Sequence, residues 1–171
     1  MLSKKIESAL NEQVALEHES SQHYLAMASW AAINGYQGVS NFLYLQSDEE
    51  RMHMLKLFHY INDRGGHALV PSGVKTPTSF KDVNQVFELV LKHEVKVSTS
   101  INLLVDACLK EKDYSTHNFL QWYVAEQIEE ENTAREILDK LKLIGNDKGG
   151  MYLFDRDLSA RQPGDRDNKG K

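Results

Sequence analysis

The chain has a single cysteine, Cys108, in 171 residues. A disulfide framework within the chain is thereby excluded, as is a cysteine-rich zinc or iron–sulfur site. Cys108 itself is assigned no role. Proline is almost as scarce, at 3 residues, and glycine stops at 10. Both residues interrupt helices, so their scarcity points to long unbroken ones. No stretch approaches the ~18 apolar residues that mark a membrane span. Lys4 and Lys5 are followed by Glu7, Asn11, Glu12 and Gln13, where a secretory leader would be apolar. The expectation is a cytoplasmic chain with no membrane partner. Nor is there an excess of basic charge. The 20 Lys and Arg face 25 Asp and Glu, for a net charge of −5. That balance argues against nucleic acid as the partner and suits a cation.

What is present is helical periodicity in four long windows. They run from about Ser3 to Ile33, Gln37 to Arg64, Asp82 to Lys112 and Tyr114 to Ile144. Asn34-Gly35, Gly65-Gly66 and Gly145-Asn146 supply the stops. A short fifth helix is expected from Gly150 to about Ala160, then a polar, disordered tail over 161–171. The expected domain is thus 1–160. Short turns make windows one and two, and three and four, antiparallel pairs. The connection from Gly65 to Lys81, holding Pro71, Gly73 and Pro77, spans roughly 55 Å when extended. A helix of these lengths is roughly 42 Å long. One long crossover can therefore run the length of a four-helix bundle and leave helices two and three parallel.

Steps of three and four residues give the buried stripe of each helix. The first reads Ile6, Leu10, Gln13/Val14, Glu17, Ser20, Tyr24, Met27/Ala28, Ala31. The second reads Val39, Phe42/Leu43, Gln46, Glu50, His53, Leu57, Tyr60/Ile61. The third reads Val83, Val86/Phe87, Val90, Glu94, Val97, Ile101, Leu104, Cys108, and the fourth Leu120, Tyr123, Gln127, Glu130, Ala134, Ile137, Leu141, Ile144. Each is apolar except near its middle. Mid-helix positions meet at one level whichever way the helices point, so a polar layer forms at the waist of the bundle.

An uncompensated buried carboxylate costs several kcal/mol, at least about 3. Four that repel one another hold protons when no cation is present. Ionised, Glu17, Glu50, Glu94 and Glu130 carry the charge that two divalent ions balance, with His53 as a neutral ligand. Oxygen donors with one imidazole suit iron or manganese better than copper or structural zinc. A single glutamate on such a stripe is most often a salt-bridge partner. Four at one depth, with a histidine one turn from one of them, are not so easily dismissed. Glu49, Glu126 and Glu129 form a second acidic group beside the first, although the run Glu129-Glu130-Glu131 alone reads as a solvated face. Tyr24 taken alone reads as core. Trp30, Trp122, Met52 and Met54 read as packing, and the remaining histidines (18, 23, 59, 67, 93, 117) as surface or packing.

The chain up to about Ser159 resembles the bacterial non-haem ferritins. Five spaced segments carry the resemblance: Leu16-Glu17 with Tyr24, Asp48-Glu49-Glu50-Arg51-Met52-His53, Lys92-His93-Glu94, Asn118 to Val124, and Glu126-Gln127 with Glu129-Glu130. The Glu50-x-x-His53 motif recurs in ferritin-like di-metal carboxylate bundles. The resemblance implies that Glu17, Glu50 and His53 hold a first iron, with Gln127 hydrogen-bonding nearby. Glu50 would bridge to a second iron held by Glu94 and Glu130. Glu49, Glu126, Glu129 and Glu130 would form a third iron site, and Tyr24 would stand beside the centre. It further implies a hollow 24-subunit homo-oligomeric cage, oxidation of Fe(II) by O2 or H2O2, and storage of Fe(III) as a mineral. Residues Met151 to Leu158 match the fifth helix that lines the four-fold channels of the family.

No haem is expected. Haem-binding relatives carry a methionine directly after the bridging glutamate, where this chain has Arg51. The DNA-protecting miniferritins, with iron at a subunit interface, also fit poorly. Two other readings of the residues stand beside the ferritin one. One is a rubrerythrin-like di-iron oxidase or peroxidase without storage, against which stands the lack of a second Glu-x-x-His. The other is a helical scaffold whose acidic layer only fixes the packing.

Overall fold

The computed structural model describes residues 2–160 and is all-α over them. Five helices follow in order: α1 (Lys4–Ile33), α2 (Gln37–Asp63), α3 (Val83–Glu111), α4 (Tyr114–Ile144) and α5 (Lys148–Ser159). Side chains that accept from the first turn begin four of them. Ser3 caps α1, Asp82 caps α3, Asp113 caps α4 and Asp147 caps α5. Asp147 also explains why α5 starts two residues before the expected Gly150. Its carboxylate oxygens accept from the backbone N–H of Gly149 at 3.2 Å and of Gly150 at 2.9 Å. The expected tail, 161–171, lies outside the described residues.

Hydrogen bonds between helices fix their directions. Ser21 pairs with Ser47 and Ser40 donates to the Ala28 carbonyl, so α1 and α2 are antiparallel. Ser100 with Gln13, and Lys5 with Glu111, make α1 and α3 antiparallel. Tyr123 donates to the His53 carbonyl, and Arg64 pairs with Asp113, making α2 and α4 antiparallel. Helices α2 and α3 are therefore parallel. The segment between them runs the length of the bundle, as the long-crossover expectation required.

The core is two apolar clusters with a polar layer between them. Met27, Ala28, Val39, Leu43, Phe87, Val90, Ile137 and Leu141 fill one half. Ile6, Leu10, Val14, Leu57, Ile61, Val97, Ile101, Leu104 and Leu120 fill the other. Each large aliphatic side chain so buried contributes about 1.5–3 kcal/mol of transfer free energy. These halves supply the stability that lets the bundle tolerate a polar waist. Met54 packs against the second cluster, but Met52 does not pack and is 67% exposed. It sits one residue before His53, on the far side of α2 from the stripe.

Helix α5 folds back onto the start of α2. Asp155 accepts from the backbone N–H of Val39 at 2.9 Å. Phe154 and Leu158 join the first core cluster. The approach requires glycine at position 38, where a Cβ would sit 1.6 Å from the Asp155 carbonyl oxygen.

Candidate metal centre

Each of the four long helices delivers a polar side chain to the waist. Glu17 comes from α1, Glu50 and His53 from α2, Glu94 from α3, and Gln127 and Glu130 from α4. All six are buried. Glu50 and His53 are one turn apart on the same face, and His53 Nδ1 lies 3.7 Å from Glu50 Oε2. The ligand atoms of Glu17, Glu50 and His53 fall within 4.8 Å of one another. A second group, Glu49, His53 and Glu126, has the same span and shares the imidazole. Glu129 is exposed and belongs to neither group.

Hydrogen bonds orient several of these groups. Gln13 Nε2 donates to Glu17 Oε1 at 2.8 Å, while Gln13 Oε1 accepts from Ser100 at 2.6 Å. Glu94 accepts on both oxygens, from Tyr24 OH at 2.5 Å and from Gln127 Nε2 at 3.0 Å. Gln46 donates to Glu49 at 2.5 Å. The Tyr123 hydroxyl donates to the His53 carbonyl at 2.7 Å and pins that turn of α2. The rings of Trp122 and Tyr123 stand edge-on to His53, at 5.2 and 6.1 Å between centroids. Trp122 closes the outer side, with Lys56 Nζ 3.7 Å above its ring. The first stripe sets Gln13 one turn before Glu17, but nothing in the fourth shows that Tyr123 holds the His53 carbonyl.

Burial dominates the electrostatics. It holds Glu17 well above the usual carboxylate range, and the Glu50 charge pushes the same way. Glu50 is likewise raised by burial, then by Glu94. Burial pushes Glu94 up to about 7, with the Tyr24 hydrogen bond opposing and Glu17 adding to the rise. Tyr24 is raised by burial and by the neighbouring Glu94, Glu130 and Glu50, so it remains a proton donor. The metal-free waist is therefore a partly protonated set of carboxyl groups.

Two oxygens test whether cations fit. Glu17 Oε2 and Glu50 Oε2 are buried and accept no hydrogen bond. Buried polar atoms are almost always partnered, since leaving one unpaired costs about 1–3 kcal/mol. Here both orphans belong to one ligand group that also contains an imidazole. A cation between them satisfies both and offsets the charge repulsion. Four carboxylates and one imidazole are the donor set of a pair of hard to borderline divalent ions.

One further group among the described residues lies outside the waist; the sequence reads its two histidines, His23 and His93, as surface or packing and gives no role to Glu19. Glu19, His23 and His93 come together where α1 meets α3, their ligand atoms within 4.8 Å of one another. Burial lowers His23 and takes His93 down to about 4. With His23 and His93 70 positions apart, no local pattern shows their meeting.

The ferritin-like domain family matches residues 7–144 of the chain. A bacterial non-heme ferritin of Campylobacter jejuni is 44% identical over 156 residues, covering 91% of this chain and 93% of that protein. A probable bacterial non-heme ferritin-like protein of Haemophilus influenzae is 43% identical over 159 residues, covering 92% and 96%. Among solved structures, an open-pore ferritin of the hyperthermophilic archaeon Archaeoglobus fulgidus superimposes with a TM-score of 0.93 at 42% identity. The alignment covers 95% of this chain and all of that one. With a metal-fitting waist, a matching five-helix architecture and this degree of identity along nearly its whole length, the chain belongs to the ferritin family, among the bacterial non-haem ferritins.

Proposed function

We propose that the chain is an iron-storage ferritin: a ferroxidase that oxidises Fe(II) at the waist and keeps the Fe(III) as a mineral within a homo-oligomeric cage, a 24-mer in the cytoplasm. The carrying observation is the pair of buried carboxylate oxygens, Glu17 Oε2 and Glu50 Oε2, that accept no hydrogen bond. They stand beside His53 in a layer that burial keeps partly protonated.

Iron enters as the substrate. Two Fe(II) ions bring the charge that four ionised glutamates balance, so binding releases the protons that Glu17, Glu50 and Glu94 hold in the empty site. Glu17 and His53 hold one ion, Glu94 and Glu130 the other, and Glu50 lies between them. A third ion has Glu49, Glu126 and the exposed Glu129 available, with Glu130. Each Fe(II) gives up one electron, so a pair supplies the two that reduce one H2O2, with two protons, to water. The protein supplies fixed geometry rather than electrons.

Its supporting residues have separable tasks. Gln13 aims one oxygen of Glu17 and leaves the other free. Tyr24 and Gln127 hold both oxygens of Glu94, so an ion taking one leaves the other still aligned. Tyr123 fixes the backbone under His53, and the Trp122 ring limits water on that side. Leu120 and Val97 lie below the layer, and Val90 and Ala134 above it, in apolar surroundings that sharpen its electrostatics.

The test is aerobic loading with Fe(II) in large excess over the waist sites. The expected product is a particle of cage mass with an electron-dense ferric core. Ferric precipitate in bulk solution, with particles of subunit or dimer mass, would overturn storage and leave a simple oxidase.

A further inference from the structure

Away from the waist, Glu19 and His23 sit one turn apart on α1 and face the same way. His93 reaches them from α3. The three ligand atoms lie within 4.8 Å of one another, and the two imidazoles meet edge to face with centroids 5.5 Å apart. All three side chains are half-buried, so solvent ions reach them. We propose that Glu19, His23 and His93 bind a divalent first-row transition-metal ion at a site distinct from the waist centre.

The donor chemistry narrows the ligand class. Two imidazoles with one carboxylate suit zinc, ferrous, nickel or copper ions, whereas magnesium and calcium want oxygen throughout. Three protein ligands from two helices leave the remaining positions to water.

The rings are also held as metal ligands usually are. Ser20 Oγ lies 3.1 Å from the Leu16 carbonyl and 2.6 Å from His93 Nε2; a hydroxyl that donates to the carbonyl accepts from Nε2–H. In that arrangement the His93 proton is on Nε2, and Nδ1 offers its lone pair to a metal. A hydrogen bond from the second ring nitrogen is the common way of fixing a ligating histidine. Ser20 is fully buried, which makes the anchor rigid. Neighbouring residues on a helix point about 100° apart. His23 thus points to one side of Tyr24, and His93 to one side of Glu94, which sets this group off the waist stripe.

One competitor is visible. Lys96 Nζ lies 3.0 and 3.2 Å from the two oxygens of Glu19. Lys96 is 55% exposed, so this is a screened surface pair that an ion with two nitrogen donors displaces. It supplies the charge that partners Glu19 when no metal is there. Removing it should tighten metal binding.

Zinc alone is the probe. The metal-free assembly is titrated with Zn(II) against a chromophoric chelator, alongside His23→Leu, Lys96→Met and Glu50→Ala variants of unchanged particle mass and helicity. His23→Leu is expected to lose one Zn(II) per chain that Glu50→Ala retains. Lys96→Met is expected to keep that ion and bind it about threefold or more tightly, as removal of a competing surface cation allows. Anomalous scattering from Zn(II)-soaked crystals should place a peak between Glu19, His23 and His93. Equal zinc stoichiometry in wild type and His23→Leu would overturn the proposal. So would an affinity unchanged by Lys96→Met, or an anomalous map without that peak.

Discussion

Replacing Glu94 with glutamine should make the metal-free protein more stable at neutral pH while weakening its hold on the second iron. Glu94 is pushed from an ordinary 4.5 up to about 7, chiefly by burial. A carboxyl group raised in the folded state binds its proton more tightly there than in the unfolded chain. Its contribution is fully present below about pH 4.5 and is lost as pH rises through about 7. The whole displacement corresponds to about 3 kcal/mol, of which about 2 is lost between pH 5 and pH 7. Glutamine has nearly the same shape and never ionises. Its amide oxygen still accepts from Tyr24, and Gln127 can turn its own amide to accept from the new NH2 group. The assay is thermal unfolding of both proteins with a chelator present, at one scan rate, from pH 5 to pH 8. For a chain of this size about 2 kcal/mol corresponds to roughly 4–8 °C. The Glu94→Gln curve should therefore pull ahead of wild type by about that much as pH rises from 5 to 7. Loss of the Glu94 charge also eases Glu50, which acts in the same direction. Fe(II) added without air should raise the wild-type midpoint more than the variant's, since the variant keeps the Glu17–Glu50–His53 group but loses a carboxylate of the second ion. Parallel pH curves for the two proteins would refute the electrostatic account of the waist.

Other perturbations reach other parts of the argument. His53→Ala removes the imidazole shared by both ligand groups, and oxidation of two Fe(II) per chain should slow by about a hundredfold or more, with circular dichroism unchanged. Tyr24→Phe deletes a donor to Glu94, costs about 1–3 kcal/mol and lifts the Glu94 titration further; a chelator-treated pH melt would show the steeper loss towards neutral pH. Gly38→Ala places a Cβ against the Asp155 carbonyl, so α5 must shift or detach, at a cost of about 1–3 kcal/mol or more. Its signature would be lost cage mass in native mass spectrometry with the four-helix bundle still folded. Arg64→Ala breaks the pairing of the α2 end with Asp113 and Thr116 on α4; denaturation should show a loss of about 1–3 kcal/mol with iron oxidation retained.

Helical stripes were enough to locate the buried layer because long helices expose their periodicity plainly. Glu17, Glu50, His53, Glu94, Gln127 and Glu130 are all buried at one level, between apolar clusters built from the same stripes. Parallel α2 and α3 are what the length of the second connection allows. Partnerships were the harder part. That Ser100 on α3 bonds Gln13, or that Tyr123 holds the backbone of His53, depends on which way neighbouring helices are rotated. The sequence reads Met52 as packing because methionine is apolar, yet its position on α2 turns it to solvent. The Glu19–His23–His93 group is the clearest case. Its members look like scattered surface residues until α1 and α3 are laid antiparallel at a particular rotation. Depth along the bundle is legible from each stripe; contacts set by the rotation of one helix against another are not.

The central claim is that the waist carboxylates and His53 form an iron-oxidising centre within each chain. The most direct measurement is rapid mixing of metal-free protein with two Fe(II) per chain in air, followed by visible absorbance. A transient band that gives way to ferric absorbance, absent in Glu50→Ala, is the result the account predicts. Oxidation no faster than in buffer, or a Glu50→Ala protein as fast as wild type, would contradict it.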